Sequence, residues 1–237
     1  MRLGLVAFAV FFACGARTPV STHGADASPF PCGQSVADDD GHTYGTTMVG
    51  AQCWMSENLN RGAQVLGATE QTNDGRVVKY CFGDDAANCD ANGGLYQFGE
   101  ATAYHATGGR VRGICPAGWH VPSDDEWGSL ETTLGCSAWQ NDLSSINFEW
   151  RCDGLGGTGN GLGGLVTVYP GHRHYAQVGP WNDRDLGQIA AFWTSTKHEA
   201  PGVRLAAMRR KLQRSMTSVS RTFYAYELGY SIRCVHD

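Results

Sequence analysis

Cys115-Pro116-Ala117-Gly118-Trp119-His120-Val121-Pro122-Ser123-Asp124-Asp125-Glu126-Trp127 opens on a cysteine and closes on a helix start. Ser123 has the character of an N-cap, and Glu126 follows three residues on. This is the pattern of a capping box, in which each side chain satisfies a backbone N–H that the first turn leaves bare. Asp124 and Asp125 add negative charge where the helix dipole is positive. Trp127, Leu130 and Leu134 then mark a buried face at helical spacing, and Gly135 ends the helix. Upstream, Leu95, Phe98 and Ala101 or Thr102 predict a helix over Leu95–Tyr104, stopped by Gly108-Gly109. Val77–Phe82 reads as a short strand. Asp40-Gly41 is a hairpin turn signal, and Tyr44 to Met55 reads as strand, turn and strand, ended by Ser56–Asn60. Downstream, seven of the eleven residues from Gly154 to Gly164 are Gly, which makes a loop. Leu165–Tyr169, Ala190–Ser195, Arg204–Met208, Phe223–Tyr226 and Ser231–Val235 follow as short strands. No internal repeat is evident. Strands, two helices and further strands give an α+β class.

The N-terminus reads as an export signal. Met1-Arg2 carries one positive charge, and Leu3–Ala13 is apolar or small throughout. A membrane-spanning helix needs ~20 apolar residues, so this segment is too short for a permanent span. Ala13-Cys14-Gly15 resembles the lipobox of bacterial lipoproteins, in which the Cys is acylated; Phe11 departs from its usual aliphatic residue. The alternative is an ordinary secretory peptide cut near Ala16 or Gly24. The expected organisation is a lipoprotein-type signal peptide over 1–13, a flexible tether over 14–30 and one domain over 31–237.

Nine cysteines are an odd number. If Cys14 carries lipid, eight remain, which suits complete pairing in an oxidising compartment. No Cys-x-x-Cys occurs, so the usual zinc spacing is missing. The net charge of −5 hides an asymmetry: residues 1–196 hold 10 Lys/Arg against 20 Asp/Glu, and residues 197–237 hold 8 against 3. The whole is too acidic for a general nucleic-acid binder.

Several blocks of rare residues resemble the Fibrobacter succinogenes major paralogous domain. They are Asp40–Tyr44 with Val49-Gly50-Ala51-Gln52-Cys53-Trp54-Met55-Ser56-Glu57-Asn58-Leu59-Asn60, then Tyr80-Cys81 to Cys89 with Gly94-Leu95-Tyr96. Cys115–Ser123 with Glu126-Trp127 follows, then Phe192–Thr196, and finally Gly229–Val235. The resemblance runs from about Cys32 to Asp237. It implies export, often with a lipid anchor, and a fold of the C-type lectin-like or sulfatase-modifying-factor (formylglycine-generating enzyme) type. The run Gly154–Gly164 and the basic stretch Arg204–Arg214 depart from the family pattern.

Spacing together with this resemblance implies a disulfide set. Cys32–Cys53 ties the N-terminal arm to the first hairpin, Cys81–Cys89 closes a short loop, and Cys115–Cys234 resembles the long bridge of lectin-like domains. Cys136–Cys152 is left by elimination. Formylglycine-generating enzymes use a reactive Cys pair late in the fold, whereas Cys234 is the only cysteine after Cys152. No catalytic residue is therefore assigned. His172-Arg173-His174 would put both rings on one strand face, yet sequence places no third ligand nearby, so a turn or surface pair is expected and no metal. Trp181-Asn182-Asp183 lies too far before Cys234 for a lectin calcium site and reads as a polar loop. Asp38-Asp39-Asp40-Gly41 lacks the EF-hand register and reads as a hairpin turn.

Trp54, Trp119, Trp127 and Trp193 fall in the family blocks and are read as core. Trp139, Trp150 and Trp181 lie in loop-like segments; Trp150 and Trp181 are candidates for stacking on a sugar ring. Arg204, Arg209, Arg210, Lys211, Arg214 and Arg221 fall within eighteen residues. If Arg204–Arg214 is a hairpin, alternation puts several on one face, with Arg209, Arg210, Lys211 and Arg214 as candidate contacts for acidic polysaccharide, lipid headgroups or an acidic partner. A solvated edge guarded by charge is the other reading. The expected whole is a monomeric, cofactor-free lipoprotein module at the outer membrane or cell surface, anchored through Cys14. It would bind a glycan or an envelope protein. The alternatives are an enzyme distantly related to formylglycine generation and a purely structural or adhesive component.

Overall fold

The computed structural model describes residues 30–105, 109–137, 149–152, 155, 161–174, 182–199 and 205–237. In chain order the strands are β1 (Val36–Ala37), β2 (Thr43–Tyr44), β3 (Thr46–Val49), β4 (Gln52–Met55), β5 (Ala63–Gln64), β6 (Val78–Lys79), β7 (Trp119–His120), β8 (Glu149–Arg151), β9 (His172–His174), β10 (Asn182–Arg184), β11 (Ile189–His198), β12 (Ala206–Gln213), β13 (Val219–Ala225) and β14 (Val235–His236). The helices are α1 (Ala86–Asn92), α2 (Phe98–Ala101) and α3 (Asp124–Thr133). Two four-stranded sheets, β3-β4-β14-β7 and β11-β12-β13-β8, are joined by smaller pairs β1-β2, β9-β10 and parallel β5-β6. This is a disulfide-rich, loop-rich α+β structure.

Asp38 makes the first hairpin. Its side chain accepts the backbone N–H groups of Asp40 and His42 and the Tyr44 hydroxyl, the last at 2.7 Å. Such local bonding of an Asp side chain to the backbone ahead is the reason Asp starts turns. Gln52–Met55 then returns antiparallel on Thr46–Val49, with Met48 opposite Cys53.

Helix α3 begins as the sequence requires. The Ser123 side chain accepts from Glu126 N, and the Glu126 carboxylate accepts from Ser123 N. Beyond its C-cap at Leu134, Gly135 takes φ 102°, a left-handed conformation that costs glycine nothing. Its Trp127 and Leu130 are fully buried. Trp127 lies 4.9 Å from the Trp54 ring and 5.4 Å from the Phe192 ring, so one helix residue packs against β4 and β11 at once. Leu212, Val219 and Val235 complete this core. Trp119 and Trp193 are also buried.

The helix brings two acids inward with it. Asp124 and Glu131 are buried, and Arg210 of β12 reaches both, at 2.5 Å and 2.6 Å. Arg221, opposite Arg210 in the register, binds Asp124 at 2.6 Å. Two cations facing each other across a sheet repel. Here two carboxylates from α3 neutralise them, and burial, which alone would raise the Asp124 pKa, is outweighed by the two guanidinium groups, which leave it lowered.

Four sequence expectations change. The helix expected over Leu95–Tyr104 is confined to Phe98–Ala101: Leu95 and Tyr96 are extended and pair with Tyr80 and Tyr230, and Ala103 and Tyr104 turn the chain at φ 50° and 57°. The apolar spacing there serves bridging partners on both sides rather than one helix face. Leu165–Tyr169 forms no strand; only Val166 bridges, to Gly161. The stretch from Ala206 to Gln213 is one inner strand held between β11 and β13, not a hairpin. Asn182 and Asp183 lie in β10 rather than in a polar loop.

The bridges join Cys32 to Cys53, Cys81 to Cys89, Cys115 to Cys234 and Cys136 to Cys152. They are the pairs that spacing and the family resemblance imply.

Candidate functional site

Alternation along β12 sorts its three consecutive cations onto two faces. Arg210 points to α3 and is consumed by the buried ion cluster, which removes it from the candidate binding surface. Arg209 and Lys211 take the opposite face. Arg209 pairs with Trp193 and Thr222, and Lys211 with Ala191 and Ser220. Arg209 is 3% exposed, and its guanidinium carbon lies 4.2 Å from the Tyr224 ring centre and 5.0 Å from that of Tyr230. Aromatic faces attract cations, and more so when both are desolvated.

Strand β9 closes on this face from the side. His172 and His174 project together, with ring centres 5.6 Å apart, while Arg173 between them turns away over Tyr80. His172 lies 5.9 Å from Tyr230, and His174 lies 6.4 Å from Tyr224. The two imidazoles, two phenols and Arg209 therefore form one cluster, with half-buried Lys211 beside it.

The electrostatics are one-sided. Burial, then Arg209 and the other nearby cationic side chains, push the His172 pKa down to about 3, so its ring is neutral at ordinary pH. Burial and Arg209 pull Lys211 down to about 8, against a smaller opposing effect of Asp185. Three buried polar atoms in the cluster, Arg209 Nε, His172 Nδ1 and Ser220 Oγ, have no hydrogen-bond partner among the described residues. The Asp185 carboxylate stands 3.8 Å from His172 Nδ1, beyond hydrogen-bond range. A buried polar atom without a partner costs roughly 1–3 kcal/mol. Three on one face leave unmatched hydrogen-bonding capacity beside the Arg209 and Lys211 cations.

Of the other residues named from sequence, Arg214 is exposed beyond the end of β12, with its guanidinium carbon 5.1 Å from the Tyr169 ring centre. Trp150 stands in edge strand β8 opposite Ser220, in the cross-strand row that contains Lys211. Cys14, Trp139, Trp181 and Arg204 lie outside the described residues, as does most of the Gly154–Gly164 run. Sequence reasoning passed over Tyr224, Tyr230 and Ser220. The signals the sequence does carry for this cluster are the His-x-His spacing and the basic run that contains Arg209 and Lys211. Among the described residues no three His, Cys, Asp or Glu side chains converge as metal ligands.

A second carboxylate-rich arrangement has a structural task. His120 is clamped by Asp237 at Nδ1, 2.7 Å, and by Glu126 at Nε2, 2.8 Å. Burial alone would lower its pKa; the two carboxylates outweigh that and leave it raised. The clamp fixes β7 and β14 to the first turn of α3.

No curated protein and no solved structure matches the chain. The family model described as the Fibrobacter succinogenes major domain matches residues 48–236, a span that contains α3, the Arg209 cluster and all of both sheets but the start of β3, and the chain belongs to that family.

Proposed function

We propose that this chain is a non-catalytic cell-envelope module of C-type lectin-like type that holds an acidic glycan on the Arg209 face of the β11-β12-β13 sheet. One observation carries the reading: Arg209, Ser220 and His172 are buried on one face beside Tyr224 and Tyr230, with three polar atoms unpartnered among the described residues. A uronate carboxylate would meet the half-buried Lys211 ammonium at the rim, with the buried Arg209 guanidinium adding positive charge from beneath. Tyr224, half-buried, gives a sugar ring an aromatic edge to rest on. The lectin-like assignment draws support from the Cys115–Cys234 bridge between mid-chain and the end of the fold. Export, with acylation at Cys14, draws support from four disulfides, which persist in oxidising compartments. Those disulfides occupy every cysteine from Cys32 onward, which weighs against thiol-based oxidase chemistry in the domain.

Titration calorimetry of the chain with polygalacturonate and with a neutral galactan tests the reading. Saturable binding of the acidic polymer alone is expected, and Lys211→Ala and Tyr224→Ala should each weaken it about tenfold, or ~1.4 kcal/mol. Affinity should also fall as pH rises through about 8, where Lys211 loses its charge. Equal binding of the neutral polymer, or none of either, would sink the proposal.

A further inference from the structure

A cavity of about 550 Å³ opens elsewhere, where the residues flanking β5 on either side meet the chain between α2 and β7. Its floor is apolar: Val111 and Ile114 are almost fully buried, and Val77 is half-buried. Its walls are held in place. Val111 bridges Val121, Ile114 N–H donates to the Ala101 carbonyl, and the next residue is the disulfide-bonded Cys115. Gly113 sits at φ 55°, and a Cβ there would overlap the Ala101 carbonyl, so the loop packs as closely as a glycine permits.

Three arginines line this cavity. Arg61 is fixed from two sides: Nη1 donates to the Ile114 carbonyl at 3.1 Å and Nη2 binds Asp39 at 2.6 Å. Its remaining edge is left over, because Nε is buried and has no hydrogen-bond partner among the described residues. Arg112 is held by the Cys115 carbonyl and by the same Asp39. Arg110 is exposed and makes no ion pair among the described residues. One carboxylate therefore answers two of the three guanidinium groups, and Arg110 is left unmatched at the wall of the cavity.

We propose that this cavity binds a small monocarboxylate with a short apolar body, its carboxylate on the Nε edge of Arg61 and on Arg110 and its body against Val77, Val111 and Ile114. A planar carboxylate matches the guanidinium fork. The volume lies in the range of small-molecule sites, roughly 300–1,000 Å³. Inorganic phosphate fits worse, since its hydration would be lost against apolar walls with too few donors in return. The site is separate from the Arg209 face, and the two proposals stand or fall independently.

NMR titration of the full chain with 3-phenylpropionate tests this, with the neutral 3-phenylpropionamide and inorganic phosphate as controls. Saturable shifts are expected at the amides of Val111 to Ile114. The amide should bind at least about tenfold more weakly, and phosphate should not saturate. Arg110→Gln should weaken binding several-fold with an unchanged thermal midpoint. Arg61→Lys should abolish binding even though the positive charge remains, because the Nε edge is gone. The proposal is overturned if the propionate fails to saturate, if the amide or phosphate binds as well, or if Arg110→Gln has no effect.

Discussion

Residues in this protein take their roles from partners distant in sequence, and His120 is the plainest case. Its raised pKa depends on Glu126, six positions on, and on Asp237, 117 positions on. A group whose folded pKa is raised contributes stability that is fully present below its unfolded value and is lost as pH rises through the folded one. For His120 that loss begins above 6.5. Glu126 has the opposite sign. Burial would raise its pKa, but His120 and the Ser123 donors lower it from 4.5 to about 2, so its contribution is complete above 4.5 and fades as pH falls through about 2. The clamp therefore works best between about 4.5 and 6.5. Thermal melts across pH should show the midpoint falling as pH rises beyond that window, and His120→Gln should flatten this fall. An unchanged slope in the variant would refute the role given to His120. The Arg209 cluster teaches the same lesson. Arg209, Arg210 and Lys211 are consecutive and chemically alike, yet one is sealed in an ion cluster and the other two frame the candidate site.

Elements show which neighbour decides a face. Helix α3 was legible down to its cap, because the capping box, the acidic first turn and the apolar spacing are all local. Ser123→Ala should cost about 1 kcal/mol in chemical denaturation. Its buried acids were not legible: Asp124 carries only the mark of an acidic first turn, and nothing local shows that β12 lies against it and Glu131. Arg210→Met removes the buried guanidinium that binds Asp124 and Glu131 together and is expected to cost roughly 3–5 kcal/mol. Adding Glu131→Leu should recover most of that loss, since Asp124 keeps Arg221 and an apolar pair replaces a desolvated one. A double variant no more stable than the single one would contradict this account. The short α2 is the converse case. The spacing of Leu95, Phe98 and Ala101 satisfies a helix on paper, but the backbone of Leu95 and Tyr96 is committed to Tyr80 and Tyr230.

At the scale of the whole molecule, long-range covalent links stand in for extensive regular structure. The Cys115–Cys234 bridge closes a loop of sequence separation 119 and pins the entrance of α3 to β14. In the chain-entropy model such a closure contributes roughly 4–5 kcal/mol, and a Cys115→Ser, Cys234→Ser double variant should lose stability of that order in urea denaturation. The sequence by itself determined the α+β class, the first hairpin, the capped helix, the four core tryptophans and the family. Each of these is written in adjacent residues or in rare residues held in order. Only the tertiary structure decided which of Arg209, Arg210 and Lys211 faces the core, that His172 and His174 meet Tyr224 and Tyr230, and that Arg61 turns an unmatched edge into a cavity with Arg110. A β-strand alternates strictly, so its two faces are assigned by what packs on them, and a run of three cations carries no mark of which face that will be.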